Sequence, residues 1–348
     1  MHDHAIITKS GVIDEIVPVS TVNDSSPETF PGCFMTSAFI DLQNYGAYEK
    51  LFAVYPEPDS LYKLKEYCEK GGAAYCLPTV ATNPLDVFYK CVDAIRAYWS
   101  AGGEGILGLH IEGPWINPIK RGAHIESLIH APVIEEVRGL LDYGKAVIKM
   151  ITLAPEVCSN EVITLIQSHN VIISAGHSNA TYKEAMQAFG SGIKTVTHLY
   201  NAMSPLQHRE PGLVGATFNN ENVMASIIPD GHHVDYAAVR IAKKIMEERL
   251  FVITDAVTET DKGHYQHHLV GDKYESAGIL SGSALTMIKA FQNLVKNVDV
   301  EVETALRMCS VNPAKVIGRQ NQLGKIEKGF DSKMIVINEK LEFVKMIN

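Results

Sequence analysis

Several absences narrow this chain before any motif does. Its six cysteines, Cys33, Cys68, Cys76, Cys91, Cys158 and Cys309, form no CxxC pair and no framework spacing. They read as small buried apolar side chains in a reducing compartment, not as disulfides. Basic residues are not in excess: 31 Lys and Arg stand against 40 Asp and Glu, a net charge of −9. Such a chain has no general attraction for nucleic acid, and an anionic ligand would need a local cationic pocket. No apolar stretch reaches the roughly 18 residues that span a bilayer. The opening MHDHAIITKSG has no basic segment followed by an apolar run, so no signal peptide is expected, and the expected location is cytoplasmic. No GxGxxG follows the first apolar run, which weakens a dinucleotide-binding reading. Internal repeats and low-complexity segments are also missing.

What is present suits a large core. Hydrophobic residues make up 46% of the 348 positions and charged residues 20%, a globular balance. Short apolar runs recur at Ser37–Gln43, Gly72–Pro78, Ile106–Glu112, Ala146–Leu153, Val171–His177, Lys194–His198, Val223–Ile228 and Leu250–Asp255. Near-continuous hydrophobicity of this kind marks parallel strands buried on both faces. Helical patterns lie between them, at Ser60–Lys70, Pro84–Ser100, Thr181–Phe189 and Tyr236–Glu247. The third has a readable start, since Thr181 followed by Glu184 fits a capping box. Strands and helices in this alternation predict a (β/α)8 barrel.

The two ends read differently. Residues 1–36 carry strand-like pieces (AIITKS, VIDEIVPV), and residues 322–348 carry GKIEKGFDSKMIVIN, which reads as a hairpin or meander. The expectation is a small β-subdomain made by 1–36 and 322–348, beside a catalytic barrel over 37–321.

Active sites of such barrels sit at the C-terminal ends of the strands. Glu112 closes the third run, His177 the fifth, His198 the sixth and Asp255 the eighth. Singly, each has a plain structural explanation. A strand-end histidine is more often hydrogen-bonded scaffolding, and a strand-end aspartate often caps the next helix. Jointly, one carboxylate and two imidazoles are the ligand set of many catalytic zinc sites, with a position left for water. A divalent ion brings the pKa of water from about 15.7 toward 7, and an adjacent carboxylate can take and return the proton.

Seven segments extend this pattern: GLHIEGPWINPIKRGAH (108–124), LAPE (153–156), ISAGHSNATYKEA (173–185), THLYNAMSPLQHREPGLVGA (197–216), PDGHHVDY (229–236), ITDAVT (253–258) and LSGSALTM (280–287). In them the chain resembles the N-acetylglucosamine-6-phosphate deacetylases of the amidohydrolase superfamily. That resemblance implies one divalent metal, Zn2+ before Fe2+, Mn2+ or Co2+, on Glu112, His177 and His198. It implies Asp255 as general base and then acid, and His124 as a group polarising the acetyl carbonyl. Asn201, Ala202 and His233 would contact the phosphosugar, and Arg209 would reach the phosphate from the neighbouring subunit of a homodimer.

Two features depart from the superfamily at large. Its members often place His-x-His at the end of the first strand to hold a second metal, whereas this strand ends Gln43-Asn44-Tyr45. Neither Gln43 nor Tyr45 is a good ligand for a divalent ion, so a single metal is expected. His110 alternates with Glu112 on one strand and is expected to pack behind the site. The segment after Asp255 carries His264, His267 and His268 and is expected to be a solvated loop. Alternative functions are action on another N-acetyl amino-sugar phosphate or an N-acyl amino acid, or a non-catalytic sugar-phosphate-binding barrel. The latter has no need of Asp255.

Overall fold

Eight parallel strands ring one axis in the computed structural model, which describes residues 4–22 and 27–348. They are β1 (Phe39–Asn44), β2 (Ala73–Ala81), β3 (Leu109–Glu112), β4 (Ile148–Leu153), β5 (Ile172–Ala175), β6 (Thr195–Val196), β7 (Met224–Ile227) and β8 (Leu250–Val252). Every one lies within an apolar run read from the sequence or overlaps it, and neighbours in sequence are neighbours in the sheet. Just past β8 the ring closes onto β1. Asp255 N–H donates to the Gln43 carbonyl at 3.0 Å, and Tyr45 N–H to that of Ala256 at 2.9 Å. Asp41, inside this seam, accepts from Thr254 N–H at 3.1 Å and from its hydroxyl at 2.5 Å.

A helix follows each strand: α1 (Pro58–Lys70), α2 (Leu85–Ser100), α3 (Ile134–Tyr143), α4 (Asn160–Ser168), α5 (Tyr182–Gly190), α6 (Gly212–Asn219), α7 (Tyr236–Met246) and α8 (Met287–Lys296). The start of α5 has the expected capping box. Glu184 N–H donates to Thr181 Oγ1 at 3.3 Å, and Glu184 Oε2 accepts from Thr181 N–H at 2.8 Å. On α8 the buried Met287, Ala290, Phe291 and Leu294 recur at helical spacing and face the sheet. The (β/α)8 architecture is therefore as the apolar periodicity predicts.

Chain termini pair with each other. Cys33–Ser37 runs antiparallel to Met334–Asn338, which also pairs with Phe343–Ile347. The hairpin His4–Lys9 and Val12–Pro18 joins through Ile13 N–H to Phe330 O at 2.8 Å. Residues 1–3 and 23–26, which fall in the expected subdomain, lie outside the described residues. Among the described residues no helix is long and apolar enough to cross a membrane, and all six cysteines are free.

Candidate active site

Beyond β5, β6 and β8 the chain turns sharply. His177, His198 and Asp255 have φ of 48°, 36° and 55°, a left-handed conformation unusual for residues with a Cβ. Such strain persists only where the surroundings impose it, and it gathers at functional sites. Here it turns three side chains back over the mouth of the barrel, toward Glu112 at the end of β3. This also explains why β6 is only two residues long, shorter than its apolar run.

The three ligand-type atoms meet. Glu112 Oε1 lies 3.1 Å from His198 Nε2 and 3.3 Å from His177 Nε2, and the two ring nitrogens are 3.1 Å apart. His177 Nδ1–H donates to the Lys120 carbonyl at 2.9 Å, which leaves Nε2 as a lone pair in the neutral ring. His198 Nδ1 is buried with no hydrogen-bond partner among the described residues. Its ring is held below the ordinary histidine pKa, mainly by burial. One ligand-type atom from each of the three residues thus lies within 4.8 Å of the others, so that a single cation among them could take a lone pair from each.

The carboxylates repeat the point. Burial, and then the negative charge of Glu112, push Asp255 well above its ordinary range. Among the described residues, no lysine or arginine lines the cavity that holds both. A divalent cation on Glu112, His177 and His198 is the counter-charge this donor set lacks, so the residues fit a metal.

Neighbouring side chains hold the arrangement. Glu156, from LAPE, accepts from Ser178 Oγ at 2.7 Å, Asn179 N–H at 2.6 Å and Asn117 Nδ2 at 3.0 Å, fixing the loop that carries His177. His124 is buried; it stands 3.4 Å from Glu112 Oε2 through Nε2 and pairs through Nδ1 with Thr82 Oγ1 at 2.7 Å. Burial pulls its pKa down to about 4, so the ring is neutral at pH 7, and Nε2, which faces the Glu112 carboxylate, is the nitrogen placed to carry its proton. His110 packs one step below, bonding Thr152 Oγ1 at 2.8 Å and the Leu42 carbonyl at 3.1 Å; burial takes it to about 4 as well.

The cavity encloses about 240 Å3. Asn201, Ala202 and His233 line it, together with Glu112, His124, His177, His198 and Asp255. His233 is oriented by Asp230 Oδ2 at 2.6 Å, whereas His232 faces outward to Asp272 at 2.9 Å. Arg209 is not brought in. It is exposed, does not line this cavity, and has no ion pair among the described residues, Glu210 included.

Other lining residues escaped the sequence reading. The stretch with His264, His267 and His268 is only in part the expected solvated loop: His264 and His268 are exposed, and His267 is not. It leads into a three-stranded antiparallel sheet at His268–Val270, Lys273–Ser276 and Ile279–Ser283. His267 is buried, stacks on Tyr265 with centroids 6.3 Å apart, and is taken to about 4 by burial. His267 and Tyr265 line the cavity with Leu280, Ser281 and Gly282. LSGSALTM was the available signal for the last three. Gly282 sits at φ +68°, and a Cβ there would meet Val257 Cγ1 at 2.3 Å, so no side chain fits against the loop after Asp255.

Comparison with known proteins agrees with this geometry. A family model described as the amidohydrolase family matches residues 34–346. The chain is 32% identical to N-acetylglucosamine-6-phosphate deacetylase of Haemophilus influenzae, over 94% of this chain and 89% of that protein. It is 30% identical to N-acetylgalactosamine-6-phosphate deacetylase of Escherichia coli O157:H7, over 98% and 92%. A solved N-acetylglucosamine-6-phosphate deacetylase from Pasteurella multocida superposes with a TM-score of 0.95 at 33% identity, covering 100% of this chain and 94% of that one.

Proposed function

The chain belongs to the amidohydrolase family, and from that premise we propose that it hydrolyses the acetamide of N-acetylglucosamine-6-phosphate, giving glucosamine-6-phosphate and acetate. The observation that carries this is the convergence of Glu112, His177 and His198 beside Asp255 in one cavity. Curated relatives of 30–32% identity that span nearly the whole chain are deacetylases of such substrates.

Glu112, His177 and His198 would hold one divalent ion, Zn2+ in the first instance. When bound, such an ion supplies Lewis acidity to a carbonyl and acidifies water. Asp255 takes the proton of the attacking water and delivers it to the leaving nitrogen as the C–N bond breaks. His124, with its proton on Nε2, donates to the acyl oxygen as negative charge develops there. Asn201, Ala202 and His233 hold the sugar phosphate.

A phosphate needs a cation that the cavity's own lining lacks. Exposed Arg209 is suited to serve a second copy of the chain, as a planar fork matched to phosphate oxygens. We therefore assign a homodimer with Arg209 reaching across, a division into a subdomain (1–36 and 322–348) and a barrel (37–321), and a reducing, cytoplasmic setting that suits six free thiols.

Acetate release from N-acetylglucosamine-6-phosphate, on protein reconstituted with metal and checked by elemental analysis, tests the reading. Turnover with one metal per chain is expected; metal-loaded protein that releases no acetate overturns it. The 4-epimer is a second reading, favoured by the Escherichia coli relative. The ratio of kcat/KM on the two sugar phosphates decides between them.

A further inference from the structure

Tyr45 stands just past β1, on the seam where the barrel closes, and its hydroxyl lies between the two site carboxylates. It donates to Glu112 Oε2 and stands 3.4 Å from Asp255 Oδ1. Gln43 Nε2 donates to it at 2.8 Å, and also approaches Glu112 Oε1 at 3.1 Å and Asp255 Oδ1 at 2.7 Å. A phenol carries one proton. Because the Gln43 amide already donates to the oxygen, that proton is free for Glu112.

The consequence is a division of labour within one carboxylate. Glu112 Oε1 faces His177 Nε2 and His198 Nε2. Glu112 Oε2 is engaged from the other side, by the Tyr45 hydroxyl and by His124 Nε2 at 3.4 Å. The Tyr45 backbone is fixed in turn, by its N–H to Ala256 O at 2.9 Å and by Phe52 N–H to its carbonyl at 2.8 Å.

We infer that Tyr45 is a positioning residue, whose hydroxyl holds Glu112 to a single ligating oxygen and keeps the Asp255 carboxylate apart from it. The inference rests on the reading that Glu112, His177 and His198 bind a cation. Phenylalanine would preserve the ring and its packing but release Oε2, allowing Glu112 to rock until both oxygens face the ion. Partners of this kind around metal ligands typically matter by 10- to 100-fold in affinity.

The test is Co2+ titration of metal-free wild type and Tyr45→Phe, followed by the visible ligand-field band and by competition with a chelator. Wild type and variant should each take one Co2+ per chain. The variant should bind it about 10-fold more weakly, with a shifted band that reports the altered carboxylate geometry. On the sugar phosphate its kcat should fall while KM stays within about twofold, since Tyr45 acts through Glu112 and Asp255. If the Phe variant does not fold, Tyr45→Asn, too short to reach Glu112, takes its place. An unchanged band and affinity in the folded variant would overturn the inference. Wild type that binds no Co2+ at all would instead sink the metal-site reading beneath it.

Discussion

Two buried polar clusters lie one step apart along the same strands, and they differ in how completely their atoms are satisfied. In the lower one, His110 bonds Thr152 and Leu42 O, Thr152 bonds Thr197 at 2.7 Å, and Thr197 bonds Ser174 at 2.6 Å. In the upper one, Glu112, His177 and His198 bring ligand-type atoms to a common point, and His198 Nδ1 has no partner among the described residues. Residue types overlap in the two, and burial is the same. Satisfaction separates them: the lower cluster is complete within the fold, and the upper one is not.

That contrast can be broken by mutation. The largest effect is expected in the upper cluster, where Asp255→Asn should lower kcat about 1,000-fold while metal content by elemental analysis stays near that of wild type. A normal rate would remove Asp255 from the chemistry.

The next concerns acid. Asp41 is raised by burial from 3.8 to about 6, so between those values the folded chain keeps a proton that the unfolded chain has lost. Its contribution to stability is therefore greatest in acid and falls by about 3 kcal/mol as pH rises through 6. His110, lowered from 6.5 to about 4, has the opposite sign: its contribution, present above 6.5, is lost as pH falls through 4. Asp41→Asn should remove the opposing part, so urea unfolding at pH 6.5 and 4.5 should show a steeper acid loss than in wild type. Equal slopes would mean that Asp41 is not protonated in the native state near pH 5.

A smaller effect is expected below the rim. His110→Leu removes the buried bonds to the Leu42 carbonyl and Thr152 and should cost about 2 kcal/mol of stability in the metal-free protein, with metal stoichiometry unchanged. Loss of metal without loss of stability would move His110 into the upper cluster. Smallest is Arg209→Ala, which should raise KM about 10-fold for the phosphorylated substrate and leave the unphosphorylated sugar unaffected. Parallel changes on both would mean that Arg209 does not read the phosphate.

Much of this was legible in the chain because parallel strands buried on both faces read as continuous apolar runs. The residue that ends such a run is then placed by topology alone, which is how Glu112, His177, His198 and Asp255 could be singled out. What stayed hidden depends on tertiary closure. His267 reads as one of several histidines in a polar stretch, and only the fold reveals that Tyr265 covers it. Tyr45 reads as a poor ligand, and nothing local says that its hydroxyl stands between two carboxylates from β3 and the end of β8. Arg209 was assigned to the phosphate only by the resemblance, and in the single chain it stays exposed and away from the cavity.

Closing the ring at residues 43–45 and 254–256 has one more consequence. The three ion-facing residues come from β3, β5 and β6, in the middle of the chain, whereas Asp255, Gln43 and Tyr45 become neighbours only when the last strand meets the first. On the proposed roles, the groups for ion binding and for proton transfer therefore depend on different parts of the ring. The proposed ion-binding set is held by the central strands, and the proposed proton carrier joins it through the backbone hydrogen bonds that close the ring.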